Sequence, residues 1–387
     1  MFTTLNRQNT RASKWRECEE TLSKTSLAFS KADSDYRTAP AIIKALAKRS
    51  AHGAFGYTDY TKEDASIVID WLKRRHHVVV DAAWLIPTQK ILTALSLLLR
   101  TFTAPKESVV IQSPVYHNFY SIIEDNDRTV LQNPLISDEN LFYTMDYNHL
   151  EQCFKDGAKT MILCHPHNPV GRVWQKEELH RLALLCERYG VLLISDEVHS
   201  DIIMPGQSFH SLIHEQQHCA RLVVIHSLSK TFNLAGLQLS HLIIPNQAMN
   251  VTIQSTLQAM ALQTPNVFAL EAMRAAYTQC DAWVDAQNQH IQQNLAWLKK
   301  WLTPYSKVTL APLEGTYLAW LDASSWKLST DEIHRRFKEA GVIICHGSQY
   351  ADCCEGFLRI NLACSKEQLI KGFKRLAPIF KSLENSQ

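Results

Sequence analysis

Residues 160–196 read TMILCHPHNPVGRVWQKEELHRLALLCERYGVLLISD, and this stretch decides the fold. Apolar, strand-length runs lie at 160–164 and 191–194. Between them, residues 176–189 repeat leucines on one helical face and end at Gly190, a common helix terminator. Continuous apolar strands separated by amphipathic helices are typical of a mostly parallel sheet that is covered on both faces. The sequence therefore predicts an α/β fold.

The same alternation extends over much of the chain, and a different pattern follows it. Further apolar strands are predicted at 108–111 and 222–225, and helices at 39–46 and from Gln89 to Arg100. From about residue 266 the pattern is helical as far as Trp301. We read this stretch as a long helix that joins the large α/β domain to a smaller α+β domain.

The C-terminal part has short strand patterns around one amphipathic helix. Ser329 and Glu332 have the spacing of a capping box, and a final helix closes the chain. The strand patterns lie at 307–310, 316–320, 342–345 and 357–360. The predicted division is an N-terminal arm with part of the small domain at 1–50, a large domain at 51–285 and a C-terminal small domain at 286–387.

Composition excludes several classes of protein. The formal net charge is only +2, so neither nucleic acid nor an anionic membrane is an expected partner. Residues 1–7 lack an apolar signal core and the apolar runs are too short to span a bilayer, so we expect a cytoplasmic protein. With only 12 glycines, the chain has neither a Gly-x-Gly-x-x-Gly nor a Gly-Lys-Ser/Thr loop, which disfavours nicotinamide cofactors and ATP.

The cysteines and histidines show no metal-binding spacing. The ten cysteines include one adjacent pair, Cys353 and Cys354, but no Cys-x-x-Cys, and the 17 histidines include no His-Glu-x-x-His. We expect reduced thiols and no metal site.

A lysine flanked by hydroxyl side chains follows the apolar run that ends at Ile225. Lys230 lies between Ser229 and Thr231. Its amine can form a Schiff base with an aldehyde, and neighbouring hydroxyls can donate to a phosphate. Taken alone, the pattern is more typical of an ordinary surface lysine in a loop.

Two further polar residues follow buried strand patterns. Asp196 is costly at the end of such a strand unless it has a partner, and a pyridinium nitrogen would serve. A helix N-cap is the alternative. Asn168 begins an Asn-Pro-x-Gly turn, and its amide could bind a ring hydroxyl, although the turn alone explains the motif.

Arg359 lies in an apolar strand pattern of the small domain. Its guanidinium fits a carboxylate, either from a substrate or in an internal salt bridge. Because ligands bind beyond the carboxyl ends of parallel strands, the segments of Asn168, Asp196 and Lys230 are expected to converge.

The order Asn168, Asp196, Lys230, Arg359 resembles the aspartate-aminotransferase-like superfamily, the fold type I enzymes that use pyridoxal-5′-phosphate (PLP). Longer stretches are similar to the MalY/PatB group of cystathionine β-lyases, also called cysteine-S-conjugate β-lyases. These stretches are 13–15, 32–36, 55–58, 113–117, 167–174, 195–201 and 229–238.

The resemblance implies a role for each position. Lys230 would be the catalytic residue and carry PLP as a Schiff base, Asp196 would pair with the pyridine nitrogen, and Arg359 would bind the substrate carboxylate. The remaining cofactor contacts would be Tyr116 on the ring, Asn168 and His199 near its hydroxyl, and Ser227, Ser229, Gln89, Lys90 and Ile91 at the phosphate. Tyr57 would reach the phosphate of the neighbouring subunit's cofactor, which implies a homodimer with composite active sites.

Two positions depart from the group's pattern. Lys90 stands where a glycine usually opens the phosphate-binding helix, although a helix start still attracts phosphate. Ser34 and Tyr36 replace a methionine and a phenylalanine of the arm, so the side-chain pocket could prefer a different thioether.

The implied reaction is α,β-elimination of L-cystathionine or a related cysteine S-conjugate to a thiol, pyruvate and ammonia. A PLP-dependent aminotransferase would share every cofactor contact and is the main alternative. A regulatory binding protein that retains the same fold is a second one.

Overall fold

The structure, a computed structural model, describes residue 2 and residues 5–21 and 25–386. Met1, Thr3, Thr4 and 22–24 of the predicted arm, and Gln387, lie outside the described residues. The helices are α1 (Ser13–Thr21), α2 (Pro40–His52), α3 (Lys62–His76), α4 (Ile91–Phe102), α5 (Asn118–Glu124), α6 (Tyr147–Lys155), α7 (Lys176–Tyr189), α8 (Gln247–Ala259), α9 (Val267–Gln279), α10 (Asp281–Leu302), α11 (Thr330–Glu339) and α12 (Lys366–Asn385).

The strands are β1 (Leu27–Ala28), β2 (Leu85–Thr88), β3 (Ser108–Ile111), β4 (Thr129–Gln132), β5 (Ile136–Ser137), β6 (Tyr143–Thr144), β7 (Thr160–Cys164), β8 (Leu192–Asp196), β9 (Leu222–His226), β10 (Ser240–Ile243), β11 (Thr309–Leu310), β12 (Leu318–Asp322), β13 (Val342–Ile343), β14 (Cys345–His346) and β15 (Phe357–Asn361). Among the described residues, no helix has the length and apolar character needed to cross a bilayer.

The main sheet has seven strands in the order β2-β10-β9-β8-β7-β3-β4. Neighbours from β9 to β4 run parallel, and β10 is antiparallel to both of its neighbours. The predicted mostly parallel sheet is thus confirmed.

Both faces of this sheet are buried, as the continuous apolar runs predict. Met161 and Leu193 face one way, into a core shared with α2, α3, α6, α7 and α9. Ile162 and Ile194 face the other way, toward α4, α5 and α8. This alternation along each strand is the physical reason why β7 and β8 have no polar face.

A second, antiparallel sheet of order β11-β12-β15-β14 forms the smaller α+β part. It shares a core with α1, α10, α11 and α12. Strand β1 pairs in parallel with β13, which attaches the segment 25–36, here called the arm segment, to this part. Helix α2 instead packs on the core of the large sheet through Ile42. The domain boundaries stay a prediction.

The single long helix predicted after residue 266 is wrong. Two helices, α9 and α10, are separated at Cys280. The Arg74 guanidinium donates to the Tyr277 carbonyl oxygen at 2.6 Å and to the Asp281 carboxylate at 3.0 and 3.1 Å. In a continuous helix that carbonyl would accept the Asp281 N–H, whereas here it accepts from Arg74 at the point where the two helices are separated.

Smaller differences concern where elements begin and end. The strand predicted at 191–194 runs on to Asp196, the pattern at 307–310 forms only β11, and the pattern at 342–345 forms two strands. Ser329 caps α11 by accepting the Glu332 N–H at 3.3 Å, as predicted. The Glu332 carboxylate, however, pairs with Arg335 and Arg336, so the capping is one-sided.

Candidate active site

Three adjacent strands end at one cavity. In the sheet register Cys164 pairs with Asp196, and Asp196 pairs with Ile225, so the segments that follow β7, β8 and β9 leave from the same edge. The cavity between them has a volume of about 810 Å³, including its open mouth. Its lining residues are Ala32, Lys90, Ile91, Leu92, Tyr116, Cys164, Asn168, Asp196, Val198, His199, Ser227, Ser229, Lys230, Ala235, Gln238 and Leu239.

Most predicted site residues line this cavity, and three do not. Gln89 precedes the lining part of its loop. Tyr57 is fully exposed in this single chain. Arg359 does not line the cavity itself, but it contacts a lining residue: its Nη1 atom lies 3.0 Å from the Asn168 Oδ1 atom. The structure therefore brings the predicted residues together with the exception of Gln89 and Tyr57.

Some lining residues were not anticipated. Three of them lie near predicted site residues in the sequence: Leu92 follows Ile91, Val198 precedes His199, and Cys164 is four residues before Asn168. Proximity in the sequence is therefore a usable signal for these three. Ala32 lies in the arm segment, far from them in sequence, and no local pattern marks it. The rest of this set is Ala235, Gln238 and Leu239.

Lys230 faces the cavity and is not an ordinary surface lysine. Its Nζ atom donates to the Ala32 carbonyl oxygen at 2.7 Å. Burial lowers the pKa of Lys230, while the nearby carboxylate of Asp33 opposes that shift. A lowered pKa increases the share of free amine, the form that can act as a nucleophile or a base.

Asp196 is a buried carboxylate without a cationic partner. It is the last residue of β8, and its Oδ1 atom accepts the Val198 N–H at 3.2 Å. No ion pair within the described part of the chain includes it. Burial raises the pKa of Asp196 to about 6, against the Val198 hydrogen bond and Lys230. No helix begins here, so the N-cap alternative does not apply, and a protonated ring nitrogen would satisfy this carboxylate.

The turn interpretation of the Asn-Pro-x-Gly motif is confirmed, and the cofactor interpretation stays a prediction. Gly171 has φ +79°, and an added Cβ would lie 2.7 Å from Leu313 Cδ1, so the turn requires glycine. Asn168 also lines the cavity, where its Oδ1 atom accepts from Arg359.

Arg359 is a buried cation without an anionic partner. Only 2% of its surface is exposed, and Nη2 donates to the Ser30 carbonyl oxygen at 2.6 Å. Its guanidinium lies 5.0 Å from the Tyr350 ring centre, and the Nε atom has no hydrogen-bond partner. Throughout the described ranges no salt bridge involves Arg359, so the internal salt bridge offered as the alternative is absent, and binding of a substrate carboxylate stays a prediction.

Helix α4 begins at the cavity wall. Its N-cap residue Lys90 has φ −135° and ψ 158°, an extended conformation open to any residue, so the missing glycine does not disturb the helix start. No side chain caps this end, so its first N–H groups are free to bind an anion. The Ser227 hydroxyl, by contrast, already donates to the Leu239 carbonyl oxygen at 2.8 Å.

The aromatic and arm positions can be placed as well. Burial lowers the pKa of His199 well below its usual value, so its ring is neutral, and its buried Nδ1 atom has no partner. Tyr116 lines the cavity, and its hydroxyl accepts from the Asn118 amide at 2.6 Å.

Neither Ser34 nor Tyr36 is among the lining residues, and the Tyr36 hydroxyl donates to the Cys364 carbonyl oxygen at 2.9 Å. In the single chain neither side chain reaches the cavity, and an influence of these two positions on thioether preference stays a prediction.

This set of residues suits a planar cofactor with a ring nitrogen, an anionic group and an aldehyde. The free carboxylate of Asp196 matches the nitrogen, the start of α4 matches the anion, and Lys230 matches the aldehyde. Each group fits because it would meet a buried or cavity-facing polar group of complementary charge or reactivity: a carboxylate without an ion-pair partner, an uncapped helix start and an amine.

Comparison with known proteins gives the following. Residues 24–376 match the family described as aminotransferase class I and II. The chain is 36% identical over 375 residues to cystathionine β-lyase PatB of Bacillus subtilis, covering 96% of this chain and 97% of that protein. It is 33% identical to protein MalY of Escherichia coli, covering 89% of each.

Solved structures show the same likeness. Cystalysin from Treponema denticola, whose structure contains a PLP cofactor, has a TM-score of 0.94 and 29% identity, with 99% of both chains covered. The predicted fold type is confirmed by this match.

Proposed function

The chain belongs to the class I and II aminotransferase family, and we propose that it is a PLP-dependent carbon–sulfur β-lyase. It catalyses α,β-elimination of L-cystathionine or a related cysteine S-conjugate to a thiol, pyruvate and ammonia. The observation that carries the proposal is the meeting of Lys230 and Asp196 in one cavity of a chain that matches PatB over 96% of its length.

The residues that would hold the cofactor are those whose polar groups face the cavity. Lys230 anchors it, Asp196 binds its ring nitrogen, and the start of α4 with Ser229 binds its phosphate. Tyr116, Asn168 and His199 contact the ring and its hydroxyl. When bound, PLP supplies an electron sink that permits loss of an α-proton and of a β-thiolate.

Arg359 and Lys230 have separate roles toward the substrate, one in binding and one in proton transfer. Arg359 binds the substrate carboxylate, because its guanidinium is buried beside the neutral Asn168 amide and has no anionic partner in the protein. This fixes the amino acid so that its α-hydrogen faces Lys230, a contribution of orientation. Lys230 Nζ accepts that proton, and its lowered pKa favours the base form that this step requires.

The proposed enzyme is a homodimer with composite sites. Residues 53–59 form no helix or strand and are largely exposed, and the Tyr57 side chain is fully exposed in the single chain. An exposed aromatic residue within such a segment is suited to reach a second copy of the chain. We also propose a cytoplasmic location, which stays a prediction.

The test is release of pyruvate without an amino acceptor. PLP-loaded protein is mixed with L-cystathionine in the absence of any keto acid, and pyruvate is followed with lactate dehydrogenase and NADH. We expect pyruvate and free thiol in equal amounts, and neither with the matched Lys230→Ala protein. Amino-group transfer that requires an added keto acid, with no pyruvate in its absence, would identify an aminotransferase instead.

A further inference from the structure

A group of histidines surrounds one buried glutamate outside the residues that line the cavity. His180 lies on α7, Glu215 ends a short 3₁₀ helix (Leu212–Glu215), and His218 follows three residues later. His180 Nδ1 lies 2.8 Å from Glu215 Oε2. One ligand atom from each of the three side chains lies within 4.8 Å of the other two.

We propose that His180, Glu215 and His218 bind a divalent transition-metal ion, with Zn²⁺ as the best match. Two imidazole nitrogens and one carboxylate oxygen are a donor set that zinc uses in proteins. Tetrahedral zinc with bonds of about 2.0–2.2 Å places its ligand atoms roughly 3.3–3.6 Å apart. The three ligand atoms here lie within 4.8 Å of one another, and rotation of the exposed His218 side chain would bring its nitrogen to bonding distance.

The Glu215 carboxylate is built into the fold as a ligand would be. Its side chain is 4% exposed, and in the described residues its ion-pair partners are the histidines His180 and His210, with no lysine or arginine. His210 Nε2 lies 3.4 Å from Glu215 Oε1, the oxygen that His180 does not use. A second contact that orients a ligating carboxylate is characteristic of metal sites.

His210 is itself held in place. Its carbonyl oxygen lies 2.9 Å from His165 Nε2, and its ring stacks on His214 with centroids 4.5 Å apart. A buried carboxylate with only imidazoles around it is poorly neutralised unless those rings are protonated or a cation is bound. A dication bound by neutral imidazoles would neutralise Glu215 without protonated histidines.

The site is open on one side. His180 is 44% exposed at its side chain and His218 is exposed, which leaves room for water as a fourth ligand.

The ion would join α7 to the segment that follows β8. In that segment the Ser211 hydroxyl and the Leu212 N–H donate to the Glu197 carboxylate at 2.6 and 2.8 Å, next to Asp196. A bound ion would thus fix the position of residues 211–215, which contact Glu197 beside the cavity residue Asp196.

This inference departs from the sequence-based expectation of no metal site. Glu215 and His218 form a Glu-x-x-His spacing, but the third ligand comes from 35 residues earlier, on a different element. Only the packing of α7 against the 3₁₀ helix brings His180 to them, so no sequence pattern reveals the set.

The experiment is a calorimetric titration of PLP-loaded, chelator-treated protein with ZnCl₂. We expect one Zn²⁺ per chain in the unmodified protein, and affinity weakened at least about tenfold in His218→Ala and Glu215→Gln. The matched control is His52→Ala, which removes an exposed histidine of α2 and should bind Zn²⁺ normally. Zn²⁺ should also raise the thermal unfolding midpoint of the unmodified protein but not of His218→Ala.

Two results would overturn the proposal: no saturable Zn²⁺ binding by the unmodified protein, or equal affinity in His218→Ala and the unmodified protein. Far-ultraviolet circular dichroism checks folding, and His180→Ala, another partly exposed position, repeats the test if His218→Ala misfolds. Pyruvate release in the absence of Zn²⁺ is measured separately, so failure of the metal site is distinct from failure of the lyase proposal.

Discussion

Replacing Arg359 tests whether this buried cation serves the substrate or the fold. Its Nη atoms contact Asn168 and Ser30, whereas its Nε atom has no partner. A substrate carboxylate that bridges Nε and one Nη atom would complete the guanidinium's hydrogen bonds. We therefore expect Arg359→Ala to raise KM for cysteine S-conjugates while the visible spectrum of the bound PLP stays the same.

A lower bound for the effect follows from one hydrogen bond of this bidentate pair. A hydrogen bond between charged groups contributes about 1.5–3 kcal/mol, which corresponds to a loss of roughly 10- to 150-fold in kcat/KM. Arg359→Lys keeps the charge but not the planar pair of donors, so its loss should be smaller. The assay is the initial rate of pyruvate release over a range of L-cystathionine concentrations, with PLP content measured on the same samples.

Loss of PLP or of secondary structure in Arg359→Lys would refute this reasoning. In that case the hydrogen bonds to Asn168 and Ser30 would be the residue's purpose, and Arg359 would support the arm segment instead of binding substrate. A kcat/KM within twofold of the unmodified enzyme in Arg359→Ala would refute it as well.

Three further predictions concern the cofactor site. Lys230→Ala should abolish pyruvate release with an unchanged circular dichroism spectrum, and borohydride labelling of the unmodified enzyme at another lysine would contradict the assignment. In the PLP-free protein the pKa of Asp196 is about 6 against an ordinary 3.8, so the folded state keeps a proton that the unfolded chain releases. Its free energy of unfolding, relative to that of Asp196→Asn, should therefore fall by about 2 kcal/mol as pH rises from about 4 to about 6. Urea denaturation at several pH values measures this, and the same pH dependence of the unfolding free energy in both proteins would contradict it. Mixed Tyr57→Phe and Lys230→Ala subunits should show more activity than either parent, because one site then carries both lesions and the other none; absence of recovery despite subunit exchange would place Tyr57 in its own subunit's site.

The sequence predicts the four adjacent parallel strands β9, β8, β7 and β3 because their signal is local. Each of these strands is an apolar run, and both faces of β7 and β8 are buried as such runs require. The other three strands of the sheet, β2, β4 and β10, are not predicted, and β4 is a partly exposed TVLQ segment without an apolar run. The chemistry follows from the same signal, since Asp196 and Lys230 stand directly after strand patterns that the register places side by side. Because neighbouring parallel strands end at the same edge of the sheet, residues that follow them in the sequence lie close together in space.

Contacts between distant segments leave no such local signal. The hydrogen bond from Lys230 to Ala32 spans 198 residues, and the contact from Arg74 to the Tyr277 carbonyl beside the break at Cys280 spans 203. The side chains of Ser34 and Tyr36 bond within the arm segment and to Cys364, which no local pattern indicates. Side-chain direction in an irregular segment depends on what packs against it, which the segment's own residues do not encode.

The arm segment has a consequence for the order in which the protein is completed during synthesis. Ser30 leaves the ribosome early, yet its carbonyl oxygen is bound by Arg359, 329 residues later. The backbone of Phe29 likewise bonds Ile343 and Asn361, so these contacts form only after β13 and β15 have been synthesised. A nascent chain that has just completed the seven-stranded sheet therefore still lacks the C-terminal contacts of Phe29 and Ser30. We expect chains that terminate before residue 357 to be inactive, because they lack Arg359 and the strand β15 that binds the arm segment.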